Sequence, residues 1–192
     1  MKLVKKLPLI HYIIYSAIII GGIVLDQLTK LLSVLFLKNI DTCPLIRGVL
    51  HLTYVENRGA AFGMLADDRW VFLTVSTVTI LVVGALLYAG RIDGIHYGIA
   101  LSMIISGGIG NMIDRLALGY VVDFIDFRLI NFAVFNGADS FICVGAGFMI
   151  FLLIRDIIRE GKEGTASVKP ATPTASDESE TIEASEPEGE AR

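Results

Sequence analysis

The chain has 192 residues, 54% of them hydrophobic and 19% charged, with a mean hydropathy of +0.66. That excludes an ordinary soluble domain of this length. The net charge of −4 misleads, because nine acidic and only three basic residues fall from Glu160 onward, leaving 1–159 with eleven acids and thirteen bases, a net of +2. The chain therefore reads as a slightly basic membrane body, 9–158, between a basic N-terminal segment, 1–8, and an acidic tail, 161–192, whose Glu, Ser, Thr, Pro and Ala content predicts disorder.

Four segments reach the ~20 residues that a ~30 Å hydrocarbon core demands. The first, about 9–37, follows Lys2, Lys5 and Lys6 and imitates a signal peptide, but it is too long for one and reads as a retained helix. The connection 38–69 holds the β-branched and aromatic run Gly48–Val55, which ends at the turn signal Glu56-Asn57-Arg58-Gly59 and predicts a small sheet at the membrane surface. The second helix is expected over 70–89, with Trp70 as an interfacial anchor. The third, 95–113, is thinned by Gly98, Gly107, Gly108 and Gly110, and the fourth is expected over 138–158. Basic residues at the start, at Arg91, and at Arg155, Arg159 and Lys162 share one side in a four-span topology. Both termini are then cytoplasmic, and the connections 38–69 and 114–137 lie outside.

Two aspartates stand out against this background. Asp123, in Val121-Val122-Asp123-Phe124, and Asp139, in Asn136-Gly137-Ala138-Asp139-Ser140, lie next to the last strongly apolar stretch, where the membrane is expected to begin. An ionised carboxylate beside hydrocarbon is costly and is seldom kept without a partner or a use. Brought together, two such acids do not both ionise at neutral pH, and the coupling splits them into the acid and the base that peptide hydrolysis needs. The alternative for Asp123, with Asp126 and Arg128 nearby, is a solvated interfacial amphipathic segment. Asn136 stands three residues before Asp139, where it can cap the helix start.

Other polar residues have structural readings beside functional ones. Asp26 and Lys30 are an i, i+4 pair that can neutralise itself within the first helix or prop up a site. Asn57-Arg58-Gly59-Ala60-Ala61-Phe62-Gly63 is compatible with a tight turn. In Gly107-Gly108-Ile109-Gly110-Asn111-Met112-Ile113-Asp114-Arg115 close helix packing accounts for the glycines, whereas Asn111, Asp114 and Arg115 share one face and make a polar site. The three histidines are scattered, no metal-ligand spacing is present, and no Gly-x-Ser-x-Gly elbow occurs.

Taken in order, Asp26-x-x-Thr29-Lys30, Asn57-x-Gly59-Ala60-Ala61-Phe62-Gly63, Gly107-Gly108-x-Gly110-Asn111-x-x-Asp114-Arg115, Val122-Asp123-Phe124 and Phe135-Asn136-x-Ala138-Asp139 resemble the bacterial lipoprotein signal peptidases, signal peptidase II. The resemblance covers about 9–158. It implies a mainly α membrane protein of four transmembrane helices with an outer-face β-cradle and a short interfacial amphipathic element, in the bacterial cytoplasmic (inner) membrane with the active site toward the outer face. It implies an aspartic endopeptidase, without metal or cofactor, that cleaves diacylglyceryl-modified prolipoproteins on the amino side of the lipid-modified cysteine. Asp123 and Asp139 match the catalytic dyad. Asn57, Asn111, Arg115 and Asn136 match positions lining the substrate site, and Asp26, Lys30 and Asp114 match polar positions supporting it. The implied partners are the prolipoprotein and membrane lipid, with no nucleic acid and no obligate protein partner. Two competing readings are a proton-coupled transporter, which predicts acids near mid-bilayer, and a non-catalytic scaffold, which predicts tolerance of Asp→Asn at 123 or 139.

Overall fold

The computed structural model describes residues 7–59, 69–92 and 94–167. Helix α1 spans Leu9–Leu37, α2 Arg69–Tyr88, α3 Ile95–Ala117 and α4 Gly137–Ser167, and three short strands, β1 Cys43–Ile46, β2 Leu50–Asn57 and β3 Val121–Phe127, lie between them. All four expected helices are present. Helix α3 runs four residues beyond 113 and so includes Asp114 and Arg115. Helix α4 runs beyond 158 through 167, because residues 159–163 are mostly good helix formers. The rest of the expected tail, 168–192, lies outside the described residues, as do residues 1–6 and the small-residue stretch 60–63.

The helices are built inside out. In α1 the buried positions are Tyr15, Gly22, Asp26, Lys30, Ser33 and Leu37, one stripe at helical spacing, whereas Leu9, Ile13, Ile20, Val24, Leu28 and Leu35 are exposed. Polar groups facing protein and apolar groups facing outward suit a hydrocarbon solvent, where backbone and side-chain polar atoms need internal partners. Helices α1, α2 and α4 have windows long and apolar enough to cross a membrane, so the chain is read as an integral membrane protein. Helix α3 falls short of that apolarity because it packs against both α1 and α2 and carries Ser102, Ser106, Asn111 and Asp114 among its buried residues.

The glycines of α3 permit this packing. A Cβ at Gly107 would collide with the carbonyl of Ala138 at the start of α4, and one at Gly110 would collide with the carboxylate of Asp26. At another level of the bundle Tyr15, Leu87 and Ile105 form a small apolar core among α1, α2 and α3.

The sheet has the order β1-β2-β3, antiparallel throughout, with Asn57 opposite Val121 and Val55 opposite Asp123. Residues 121–127 thus form a strand and not a solvated amphipathic segment: Val121, Val122 and Asp123 are all buried, and β2 supplies a partner for their backbone. After β3 a 3₁₀ turn, Arg128–Ile130, and the left-handed Asn131 (φ 49°) reverse the chain, so that Phe135 bridges back to Ile125 just before α4 begins.

Candidate active site

Five segments deliver polar side chains to one end of the bundle. Asp123 comes from β3, Asn57 from the end of β2, Asp26, Gln27 and Lys30 from α1, Asn111, Asp114 and Arg115 from α3, and Asn136 and Asp139 from the start of α4. Asp26, Lys30, Asn57, Asn111, Asp114, Arg115, Asp123, Asn136 and Asp139 therefore converge here, although Asp26 and Asp123 are almost a hundred positions apart.

The start of α4 orients Asp139. Asn136 Oδ1 accepts the N–H of Asp139 at 3.0 Å, and Asp139 Oδ2 accepts the N–H of Asn136 at 3.2 Å, a reciprocal cap at the helix entry. The next free N–H, of Ala138, donates to Asp26 Oδ1 at 2.8 Å, so α1 also caps α4. Asp139 Oδ1 accepts from Asn111 Nδ2 at 2.7 Å.

Asp123 is 1% exposed. Its Oδ1 accepts from Asn136 Nδ2 at 2.6 Å and its Oδ2 from Asn57 Nδ2 at 2.9 Å. Asn57 is itself fixed by accepting the N–H of Gly59 at 3.0 Å, an Asx turn that makes the expected tight turn and the expected site residue the same feature. Burial pushes the Asp123 carboxyl up to about 6. The amide of Asn57 opposes the rise, Asp139 adds to it, and the amide of Asn136 and the charge of Lys30 again oppose it.

Lys30, 3% exposed, lies behind the two aspartates. Its ammonium reaches Asp26 Oδ2 at 2.8 Å, Asp114 Oδ2 at 3.1 Å and Asn111 Oδ1 at 2.9 Å, which uses all three of its N–H donors. The lysine has no acceptor, so its contact with Oδ1 fixes the Asn111 amide and leaves Nδ2 turned to Asp139. Asn136 Nδ2 donates to the same Oδ1 at 3.1 Å and so ties the two halves together. Asp114 also accepts the N–H of Val122 at 3.0 Å, which pins the residue before Asp123.

Asp123, Asp139, Asn57 and Arg115 line one cavity of about 460 Å³, whose remaining wall is largely apolar: Phe72, Phe132–Phe135 and Cys143. The Arg115 guanidinium lies over the Phe72 ring, 4.9 Å from its centroid, and donates to the Asn111 carbonyl at 3.4 Å. Asp126 stays outside, paired with Arg128 (2.9 Å) and Thr53 (2.8 Å), the structural role its position suggests.

Sequence reasoning missed Gln27, which bridges Asp114 Oδ1 at 2.9 Å, the Gly110 carbonyl at 3.2 Å and Asp26 at 3.3 Å. Its position three residues before Lys30 was the available signal. Cys143, four residues after Asp139 and hence on the same helix face, was another. Among the described residues no group of His, Cys, Asp and Glu side chains has the arrangement of a metal site.

The family model described as signal peptidase (SPase) II matches residues 18–155. A lipoprotein signal peptidase from Caldanaerobacter subterraneus subsp. tengcongensis is 50% identical over 133 residues, 68% of this chain and 88% of that protein. One from Clostridioides difficile is 45% identical over 141 residues, 73% and 95% of the two chains. A bacterial membrane enzyme solved by the in meso method superposes with a TM-score of 0.69 at 28% identity, covering 82% of this chain and 93% of that one.

Proposed function

We propose that this chain, which belongs to the signal peptidase II family, hydrolyses its substrate with Asp123 and Asp139 as a paired acid and base. It is an integral membrane protease, and it removes the signal peptides of prolipoproteins. The observation that carries the mechanism is the convergence of two carboxylates on one cavity, one of them almost fully buried, each held through both of its oxygens.

In this reading the ionised member of the pair takes a proton from water as the water attacks the scissile carbonyl. The protonated member donates a hydrogen bond to the carbonyl oxygen and then supplies a proton to the leaving amine. Burial holds Asp123 well above an ordinary carboxylate, and the nearby charge of Asp139 adds to the rise. Arg115 and Asn57 lie at the cavity wall, where they hold substrate backbone or stabilise developing negative charge. Asn111 and Asn136 orient the carboxylates, and Asp26, Lys30 and Asp114 hold Asn111 in turn.

The finer topology belongs to the same reading. Helix α3 is the fourth span, shielded by its neighbours, in a membrane domain of residues 9–158. The sheet forms a cradle on the outer face, a short amphipathic element lies at the interface, and both termini are in the cytoplasm of a bacterial cell whose inner membrane holds the protein. A site at the outer interface lets lipid-modified substrate keep its acyl chains in the bilayer while cleavage occurs on the amino side of its modified cysteine.

The test is cleavage of a diacylglyceryl-modified prolipoprotein by the purified chain and by Asp123→Asn and Asp139→Asn, with folding checked in parallel. Wild-type turnover is expected, with a loss of at least about a thousandfold in each folded variant. Near-normal turnover in either variant would remove the dyad. No cleavage by wild type would remove the peptidase assignment.

A further inference from the structure

Strand β3 is paired along one edge with β2, and away from β2 its backbone meets no second strand among the described residues but the bridge to Phe135, the Phe132 N–H and the carboxylate of Asp114. Phe135 donates to the Ile125 carbonyl at 3.1 Å and accepts from the N–H groups of Ile125 and Phe124 at 2.8 and 3.0 Å. Both of its backbone groups therefore point toward β3. In a trans peptide the C=O and the following N–H point opposite ways. The C=O of Val134, which shares a peptide plane with the Phe135 N–H, hence points away from β3. The N–H of Asn136 does so for the same reason, and it ends on Asp139 Oδ2 at 3.2 Å. The outward edge of this segment thus leads to Asp139, and Val134 lines the cavity that Asp123 and Asp139 share.

The Phe132 N–H turns inward to the Phe127 carbonyl of β3 at 3.2 Å, and the Asn136 carbonyl accepts the Ser140 N–H at 3.2 Å. Between them Ala133 and Val134 have no backbone partner among the described residues, and Val134 is the one whose C=O the orientation of Phe135 turns away from β3. Among the described residues neither the N–H nor the C=O of Val134 has a partner, although Val134 is half-buried and lines the same cavity as Asp123 and Asp139. Backbone groups withdrawn from solvent are nearly always paired.

We propose that the cleavage-site backbone of the substrate adds to this edge as an extended strand, one of its residues exchanging hydrogen bonds with Val134, so that the sheet carries the scissile bond to the dyad. The inference rests on the peptidase reading above and specifies how the substrate is held. Backbone pairing supplies affinity without reading side chains, as when peptides add to sheet edges elsewhere. The apolar walls formed by Phe72, Phe132 and Cys143 receive the side chains on either face. A substrate whose signal segment is a membrane helix must unwind at this point, and the pairing replaces the helical hydrogen bonds it gives up.

The test alters the substrate and leaves the enzyme intact. Peptides carrying a diacylglyceryl-cysteine after an apolar signal segment are N-methylated at one backbone amide at a time on both sides of the scissile bond, and kcat/KM is measured with the full chain in lipid. A loss of at least about tenfold is expected at one amide, with its immediate neighbours changed by less than about threefold, because adjacent N–H groups of an extended chain face opposite edges. Folded Val134→Pro keeps the accepting C=O but lacks the N–H that donates to the substrate carbonyl, and is expected to lower kcat/KM for the unmethylated peptide by at least about fivefold. Losses at no amide, equal losses at all of them, or an unchanged kcat/KM in Val134→Pro would overturn the edge pairing while leaving the peptidase reading in place. If wild type fails to cleave the unmethylated peptide, the peptidase reading falls and the edge pairing with it. Should Val134→Pro not fold, the scan in the unaltered chain decides.

Discussion

The bundle has two interiors of different kinds. Around Tyr15, Leu87 and Ile105 the helices meet through apolar side chains, and Gly98 lets the Tyr15 ring come close to α3. Around Lys30 they meet through a hydrogen-bonded network in which Asp26, Asp114, Asn111 and Asn136 are each at most 8% exposed. In hydrocarbon the first kind of interior competes with lipid tails as apolar as itself, so it rests on close packing and gives way gradually. The second kind fails abruptly, since each partner removed leaves a buried charge or amide unpaired. The proposed chemistry falls in the second interior, where carboxylates are held in fixed, water-poor surroundings by a network that must itself be complete.

Substitutions can sharpen or break this contrast. The largest effect on stability is expected from Lys30→Met, which strands Asp26 and Asp114 without their shared cation and should cost about 3 kcal/mol or more. Adding Asp26→Asn should recover part of the stability but not the turnover, because Asn111 is then no longer held with Nδ2 toward Asp139. Thermal unfolding and kcat measured on both variants would check this, and full recovery of turnover would break the distinction between support and orientation. Leu87→Ala, in the apolar interior, should cost about 2–3 kcal/mol while leaving kcat within about twofold in folded protein. A large fall in kcat would show that the two interiors are coupled.

The smallest expected effect is a pH dependence. The folded pKa of Asp123 is raised, so its neutral form is favoured in the native state, and stability is lost as pH rises from the unfolded value near 4 through about 6. Asp123→Asn lacks this titration. Its free energy of unfolding relative to wild type should rise across that window and level off above it, by an amount on the order of 2 kcal/mol. A flat difference between pH 4 and pH 7 would show that Asp123 is not held neutral by burial.

Much of this was legible in the chain. Helix positions followed from the lengths of apolar runs, and the second and third began within a residue of their expected starts, because a bilayer sets a narrow length requirement that composition alone can meet. Asp123 and Asp139 stood out because ionisable groups are expensive beside hydrocarbon. The role of residues 121–127 was less legible. Alternation around Asp123 and Asp126 fits an interfacial segment as well as a strand, and only β2, which is distant in sequence, decides between them by pairing with the backbone. Gln27 was passed over because its partners beyond the neighbouring Asp26 lie on α3, more than eighty residues away.

The sequence by itself determined that this is a membrane protein, where its helices lie, and which acids were too costly to be incidental, since those depend on composition and local spacing. Only the tertiary structure decided which oxygen of each aspartate meets which amide, that Lys30 fixes Asn111, and that Val134 lines the same cavity as Asp123 and Asp139. Those are relations between segments up to a hundred residues apart. Hydrogen bonds are directional over a few tenths of an ångström, and no one-dimensional pattern encodes that.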